Sequence, residues 1–254
     1  MRPERIIACI SGASAGIGQA TARILATSGF DVAIGARRME RISQLADELR
    51  SNHGVNVFAD TLDVTSTQSV NSFVANSVAA LGGLHVLVNN AGLAHGVHRL
   101  ESTPEWAWQD MFNVNVEGVM RMTQAALPHI RTAGWGHIVM MGSVAGHGVY
   151  EGGSVYCATK HAVRAFTETL RLELCGEPIR ISSIDPGMVY TDFAEVRLGS
   201  KEKAAAVYKG MTPLVAEDIA ECVRWVVTLP DHINIDQIIV KPRDQAQSFK
   251  VNRK

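Results

Sequence analysis

The chain has 254 residues, of which 46% are hydrophobic and 19% charged. That balance excludes a disordered chain, and the length excludes a small disulfide-stapled scaffold. Lys and Arg number 24 against 25 Asp and Glu, a formal net charge of -1, so there is no broad basic field of the kind a nonspecific nucleic-acid binder needs. Cys9, Cys157, Cys175 and Cys222 stand too far apart in sequence for a zinc or redox motif and read as thiols in a reducing compartment. The apolar run Ile6 to Ile10 is too short for a signal-peptide core, and no stretch reaches the roughly 20 apolar residues that span a bilayer. The expectation is a soluble cytoplasmic protein with no membrane or nucleic-acid partner and no metal.

In chain order, seven short runs rich in Val and Ile read as strands. They are Arg5–Ile10, Asp31–Ala36, Asn56–Thr61, Leu84–Val88, His137–Met141, Arg180–Ile184 and Gln237–Val240. Each is nearly continuous in apolarity, as in strands covered on both faces. Between them lie amphipathic stretches of helical length at Gly16–Ser28, Met39–Asn52, Ser66–Leu81, Pro104–Arg131, Ser154–Cys175 and Ala216–Leu229. Strand-helix alternation throughout predicts an α/β fold, a doubly wound parallel sheet with helices on both faces, in one domain over 1–254. Gly187–Pro213 breaks the rhythm. It shows no strand signal and carries Arg197, Lys201, Lys203 and Lys209. A long excursion in a compact domain is a functional lid or a disordered loop, and this one leaves a strand's C-terminal end, where α/β sheets place their ligands.

After the first strand comes Ser11-Gly12-Ala13-Ser14-Ala15-Gly16-Ile17-Gly18. Glycine permits a sharp turn and a close backbone approach to a pyrophosphate, and the helix that follows offers its N-terminal N–H groups to that anion. Three glycines are a weak signal alone; placed between the first strand and the first helix they point to dinucleotide binding. The second strand ends in Gly35-Ala36-Arg37-Arg38 rather than in an acid that would hold a ribose 2′-hydroxyl. Two guanidiniums at the start of a helix oppose its dipole, a conflict that an anionic ligand removes. Arg37 and Arg38 therefore favour NADP(H) over NAD(H).

Tyr156 and Lys160 are spaced i and i+4, which puts both on one helix face. A nearby ammonium favours tyrosinate, tuning the phenol for proton transfer to or from a carbonyl oxygen. By itself such a pair is usually an ordinary helix surface. Here Ser143 follows one strand, Asn89-Asn90-Ala91-Gly92 another, Asp63 a third and Pro186-Gly187 a fourth, while Asn115 interrupts the long fourth helix.

In these motifs the sequence resembles the short-chain dehydrogenase/reductase family over essentially its whole length, with Ser11 where that family usually has threonine. The resemblance implies a Rossmann fold with strand order 3-2-1-4-5-6-7. It also implies a homotetramer joined through the helices that contain Asn115 and Tyr156. It implies a catalytic tetrad: Tyr156 as general acid/base, Lys160 lowering its pKa and holding the nicotinamide ribose, Ser143 orienting the substrate oxygen, and Asn115 kinking its helix and holding a relay water. The cofactor would be bound by Gly12, Ser14, Gly16, Ile17, Gly18, Arg37, Arg38, Asp63, Val64, Asn89, Ala91, Gly92, Tyr156, Lys160, Pro186, Gly187, Val189 and Thr191.

In Val189-Tyr190-Thr191-Asp192-Phe193, Val196-Arg197, Pro213-Leu214 before Glu217-Asp218-Ile219-Ala220-Glu221, Leu229–Ile235 and the ending Pro242 through Gln245-Ala246, the C-terminal half is similar to an NADP-preferring branch that contains 3-hydroxy acid (serine-type) dehydrogenases, sulfoacetaldehyde reductases and clavulanate-type aldehyde reductases. Many of those substrates carry an anionic group near the reacting carbon. That makes Arg197 a candidate substrate contact beside Ser143, with a solvated helix cation as the other reading. His95, His98, His147, Tyr150 and Glu151 border the expected site without an assigned role. The function expected is an NADP(H)-dependent interconversion of a small carbonyl compound and its alcohol. The alternatives are a reductase of bulky neutral ketones such as steroids, or a noncatalytic NADP(H)-sensing protein.

Overall fold

The computed structural model describes residues 3–254. Strands β1 (Ile7–Ser11), β2 (Asp31–Ala36), β3 (Val57–Thr61), β4 (Val86–Asn89), β5 (Gly136–Met141), β6 (Ile179–Pro186) and β9 (Gln237–Val240) form one seven-stranded sheet in the order β3-β2-β1-β4-β5-β6-β9. Every neighbouring pair is parallel. This is the α/β order expected from the sequence, with the seventh sheet position filled by β9 because two very short strands intervene in the chain.

The continuous apolarity has a direct cause in the pleat. In the central strands successive residues enter opposite cores, whereas the edge strand β9 packs Ile238 and Val240 on one core and leaves Ile239 exposed, so it is not covered on both faces as the sequence led one to expect. Ala8, Ile10, Val32, Ile34, Val86 and Val88 face one side and pack against α1 (Gly16–Thr27), α2 (Met39–His53) and α9 (Ala216–Thr228). Cys9, Ala33, Leu87, Ile138 and Met140 face the other, against α3 (Thr67–Leu81), α5 (Gly118–Ala133) and α6 (Ser154–Glu173). Among the described residues no helix is long and apolar enough to cross a membrane.

Two segments depart from the sequence expectation. The stretch 104–131 is not one α-helix. It runs as α4 (Glu105–Phe112), a five-residue π turn (Asn113–Glu117) and α5. Arg121 caps the widened turn by donating to Asn113 Oδ1 at 2.8 Å and to the Asn113 carbonyl at 3.4 Å. Such bulges inside helices are frequent at functional sites.

The excursion after β6 is ordered rather than structureless. It begins with β7 (Val189–Tyr190), continues through α7 (Asp192–Leu198) and α8 (Lys201–Val207), and returns through β8 (Leu214–Val215), which pairs in parallel with β7. Two-residue strands are too short to show a hydrophobic period, so the composition could not disclose them. Thr191 and Ser200 cap the two short helices through their hydroxyls. The C-terminal tail braces the segment from outside: Lys254 N donates to the Gly210 carbonyl at 2.8 Å, and Arg253 donates to the Lys209 and Val207 carbonyls.

Candidate active site

The strand order reverses between β1 and β4, and the two chain ends there diverge to leave a crevice. Ser11 and Asn90 tie its floor together. The Ser11 hydroxyl accepts from the backbone N–H groups of Asn90 and Ala91, both at 3.1 Å. The Asn90 amide donates to the carbonyls of Ser11 at 2.9 Å and Gly12 at 3.2 Å. Gly12 has φ +68°, and a Cβ on it would lie 2.9 Å from Ala91 Cα. A Cβ on Gly18 would overlap the Asn90 amide and the Gly12 carbonyl. The glycine pattern is thus a demand of local contact between the turn and the end of β4. Beyond the turn, α1 starts at Gly16 with no side-chain cap, so no side chain competes for its first N–H groups. Ile17 packs into the core beneath it.

The rim of the turn is cationic. Arg38 donates from Nε at 3.2 Å and Nη2 at 2.9 Å to the hydroxyl of Ser14. Burial holds its guanidinium below the ordinary value, and the charges of Arg41 and Arg37 push the same way against Asp192. Arg37 itself is exposed. Arg41, one turn into α2, pairs with Asp192 of α7 at 3.3 Å across the groove mouth. A crowd of guanidiniums at an uncapped helix start is the donor set a 2′-phosphate and a pyrophosphate require, so these residues fit NADP(H).

Asp63 accepts from Thr65 N at 2.9 Å and Thr65 Oγ at 2.7 Å. Burial would raise its carboxyl, but the Thr65 bonds and the charges of Arg37 and Arg121 outweigh it and hold the group low. Val64 is buried against Gly118, and its carbonyl accepts from Arg121 at 3.2 Å.

Asn89 turns its side chain into the interior, donating to Thr123 Oγ at 3.0 Å and to Met140 Sδ at 3.3 Å. Its neighbour Asn90, not singled out from the sequence, is the one that reaches the glycine turn. Gly92 lies between two expected catalytic side chains, since a Cβ on it would stand 3.3 Å from Asn115 Oδ1 and 3.9 Å from Lys160 Nζ. Pro186 ends β6. Gly187 N donates to the Val240 carbonyl at 2.7 Å, and the next amide, Met188 N, donates to Gln245 Oε1 at 2.8 Å. Val189 packs on the core, while Thr191 caps α7 and closes over the glycine turn, 3.3 Å from where a Gly16 Cβ would be.

The four residues expected to form the tetrad converge from three places, the π turn, the end of β5 and α6. Asn115, in the π turn, is 1% exposed; its Oδ1 accepts from Leu93 N at 2.8 Å, and its Nδ2 donates to the Leu93 carbonyl at 2.8 Å and to Thr159 Oγ at 3.2 Å. Lys160 donates to the Met141 carbonyl at 2.8 Å, with Nζ 5.8 Å from the centre of the Tyr156 ring. Burial pulls its ammonium down to about 8, opposed by the charge of Asp185. Ser143 leaves β5 in extended conformation, and its hydroxyl accepts from Ala145 N at 3.1 Å.

The Tyr156 phenol differs from the sequence expectation that Lys160 lowers it. Burial raises it well above the ordinary tyrosine value, the Tyr150 phenol adding to this, and the hydrogen bond with Ser143 and the charge of Arg197 pull against them. Desolvation wins because the ring is enclosed on several sides, and the phenol stays protonated, the form that can donate to a carbonyl oxygen.

The enclosure comes from α7. Phe193 packs on the Tyr156 ring with centroids 5.9 Å apart. The Arg197 guanidinium stands 5.4 Å from the centre of that ring and 5.5 Å from that of Tyr150. Arg197 Nε donates to the Gly96 carbonyl at 2.8 Å and Nη2 to the Tyr150 hydroxyl at 2.9 Å. Among the described residues its Nη1 makes no hydrogen bond. Phe193 and Gln245 lie in segments that carry the branch resemblance but have no site role in it, and Arg41 lies in no motif; the fold alone brings the three in. Of the five bordering residues, Tyr150 reaches Arg197, His95 pairs with Asp110 at 2.7 Å and Glu151 with Arg99 at 2.5 Å, while His147 bonds Asp185 behind Lys160 at 2.7 Å. His98 donates its backbone N–H to Gly152.

A family model described as short chain dehydrogenase matches residues 6–201. An NADP-dependent 3-hydroxy acid dehydrogenase, YdfG, of Salmonella typhi is 40% identical over 95% of this chain and 96% of its own. Sulfoacetaldehyde reductase 2 of Chromohalobacter salexigens is 39% identical over 97% of this chain and 98% of its own. Among solved structures, the closed form of a serine dehydrogenase complexed with NADP+ superposes with a TM-score of 0.91 at 37% identity, covering 98% of this chain and all of that one. With the family match spanning most of the chain and the sheet order and crevice in agreement, the chain belongs to the short-chain dehydrogenase family of oxidoreductases.

Proposed function

We propose that this enzyme uses NADP(H) to interconvert a small carbonyl compound and its alcohol, and that the substrate carries an anionic group. The observation that carries the second part is Arg197, whose guanidinium lies over the Tyr156 ring with its Nη1 edge unbonded among the described residues. A carboxylate or sulfonate beside the reacting carbon would meet that edge as the carbonyl oxygen met Tyr156. A 3-hydroxy acid and sulfoacetaldehyde, named for the two relatives, share this chemistry. A bulky neutral ketone fits less well, because Phe193 and Arg197 both cover the Tyr156 ring.

When bound, NADP(H) supplies or accepts the hydride. The chain's own residues handle the proton and the geometry. Tyr156 Oη gives a proton to the substrate oxygen in reduction and takes it back in oxidation. Ser143, on the same side, orients that oxygen. Lys160, held on Met141, supplies an interior positive charge below about pH 8 that favours the deprotonated phenol once the proton has left. Asn115 fixes the loop at Leu93 and faces Gly92 on the Lys160 side. Arg38, with Ser14 and Arg37, holds the 2′-phosphate.

An NADPH-oxidation screen over small aldehydes, 3-oxo acids, sulfoacetaldehyde and bulky ketones tests the whole reading. Tyr156→Phe is expected to lower kcat by about 10²–10⁴-fold, the range for losing a general acid, with NADPH affinity by fluorescence titration nearly unchanged. Full turnover in that variant would end the proposed chemistry. Arg197→Ala should reduce kcat/KM for anionic substrates about tenfold or more relative to neutral ones of equal size, since a charge-assisted bond contributes about 1.5–3 kcal/mol; an unaltered ratio would remove the anionic-substrate part. Arg38→Ala should weaken NADPH about tenfold while NADH binding holds, and equal losses for both cofactors would show that the 2′-phosphate is not held there.

Assembly as a homotetramer belongs to the same proposal. Trp106 of α4 is 61% exposed, Met120 of α5 47% and Leu172 of α6 77%, an apolar set on helices that a second copy would cover. Light scattering should give four chains per particle, and Trp106→Glu with Met120→Glu should lower that number; a monomeric parent protein at micromolar concentration would contradict it.

A further inference from the structure

Behind Lys160 sits a second buried ionisable side chain that none of the roles above uses. Asp185, next to last in β6, is 2% exposed. Its Oδ2 accepts from His147 Nε2 at 2.7 Å and Gln237 Nε2 at 2.5 Å, and its Oδ1 from Ser183 Oγ at 2.6 Å. A carboxylate at this depth is costly unless it is both hydrogen-bonded and paired with a cation. Ser183 and Gln237 are neutral donors, so they meet the first need only, and His147, at ion-pair distance, carries a charge only when protonated.

The backbone brings a second cation to the same place, at one remove. Lys160 Nζ rests on the Met141 carbonyl at 2.8 Å. The next residue, Gly142, lies against the carboxylate so closely that a Cβ there would overlap Asp185 Oδ1, and its N–H donates to the Ile184 carbonyl at 2.8 Å. Ammonium and carboxylate therefore touch successive residues at the end of β5, immediately before Ser143. The turn after Ser143 closes on the same place: a Cβ on Gly146 would lie 2.9 Å from the Lys160 carbonyl.

The other titratable or charged groups around the pair are few. On its own helix Lys160 has Tyr156, with Cys157 one turn back and Arg164 one turn on. Arg164 meets the far ring nitrogen of His147 at 3.3 Å. Tyr150 and Arg197 act on Tyr156. The π turn contributes the uncharged Asn115, and β9 the uncharged Gln237.

We infer that Asp185 is a positioning residue that keeps Lys160 an ammonium in the protein interior, with His147, Gln237 and Ser183 holding its carboxylate against the end of β5. The inference rests on the reading of Tyr156 and Lys160 proposed above. Burial pulls Lys160 down to about 8, and the Asp185 charge is what opposes it. Taking that charge away moves Lys160 lower still, so that near pH 7.5 more of it is neutral and less able to support a departing phenol proton. Sequence reading left both His147 and the acid before Pro186-Gly187 without a role.

The test is a titration of Lys160 itself in the intact protein, by NMR of lysine labelled with carbon-13 at Cε, its signal identified with Lys160→Met. Alongside it runs the pH profile of kcat for NADPH oxidation with the best substrate of the screen. In Asp185→Asn the Lys160 midpoint should fall by about one unit, a tenfold change in acidity, and the alkaline limb of kcat should move with it. Gln237→Arg, which brings a permanent cation to the same carboxylate from the exposed end of β9, should lower the midpoint too and serves if the first variant folds poorly. A loss of packing alone would change stability without moving the midpoint. A midpoint unmoved in these variants overturns the inference and leaves the proposed chemistry standing. A midpoint that falls while the kcat limb stays still supports the inference and counts against the proposed role of Lys160.

Discussion

The crevice depends on one small junction, the hydroxyl of Ser11 accepting from the first two amides beyond β4 while Asn90 returns two bonds to the turn. At this place the sheet changes direction, and the chain must leave two adjacent strands toward opposite faces. Without side-chain bonds the backbone groups there would have no ladder partner. With them, the glycine turn is pressed against the start of the Asn90–Gly92 segment, and only residues without Cβ fit at Gly12 and Gly18. The anion-binding start of α1, the floor beneath Gly92 and the placement of Asn115 all inherit their positions from this contact.

A second constraint acts from above. The helices α7 and α8 are short, and isolated helices of that length are marginal in water. They hold their shape because each end is fastened: Thr191 and Ser200 cap them, Arg41 pairs with Asp192, Arg197 bonds to Gly96 and Tyr150, and the C-terminal tail reaches the Gly210 turn. Several of these fastenings run to residues of the crevice itself. The cover and the reacting groups are therefore mechanically one unit: burial holds the Tyr156 phenol protonated, while Arg197, proposed to meet the substrate, lies over the same ring with its charge pulling the other way.

Much of this fold is legible in the sequence. Asp31–Ala36 and Gln237–Val240 have the bounds read from the sequence, since a charged residue follows each apolar run, Arg37 after the first and Lys241 after the second. That Asn115, Ser143, Tyr156 and Lys160 lie in one region follows the family resemblance, since the spacing of Tyr156 and Lys160 on one helix face is by itself a weak signal. What stayed hidden depends on side-chain direction in irregular backbone. Asn89 and Asn90 are neighbours of identical chemistry, yet one points into the core and the other to the turn, and no spacing distinguishes them. Phe193 reaches Tyr156 through a helix whose position is set by a two-residue strand pair, below the length at which a period can be seen. The balance between burial and neighbouring charge on Tyr156 likewise needs the positions of Phe193, Tyr150 and Arg197, which no motif records.

The π turn at Asn113–Glu117 has a consequence for helical phase. From Ala107 to Ile130 the buried residues recur over about six turns, and a regular helix of about 3.6 residues per turn would finish them about one residue sooner. The widened turn absorbs that residue. Without it, the oily edge of α5 would be rotated by roughly 100° relative to that of α4, since each helical residue turns by about that angle. The turn that brings Asn115 inward thus acts as a phase corrector, letting one continuous helical rod give a polar group to the reacting end and still return its apolar seam to the sheet.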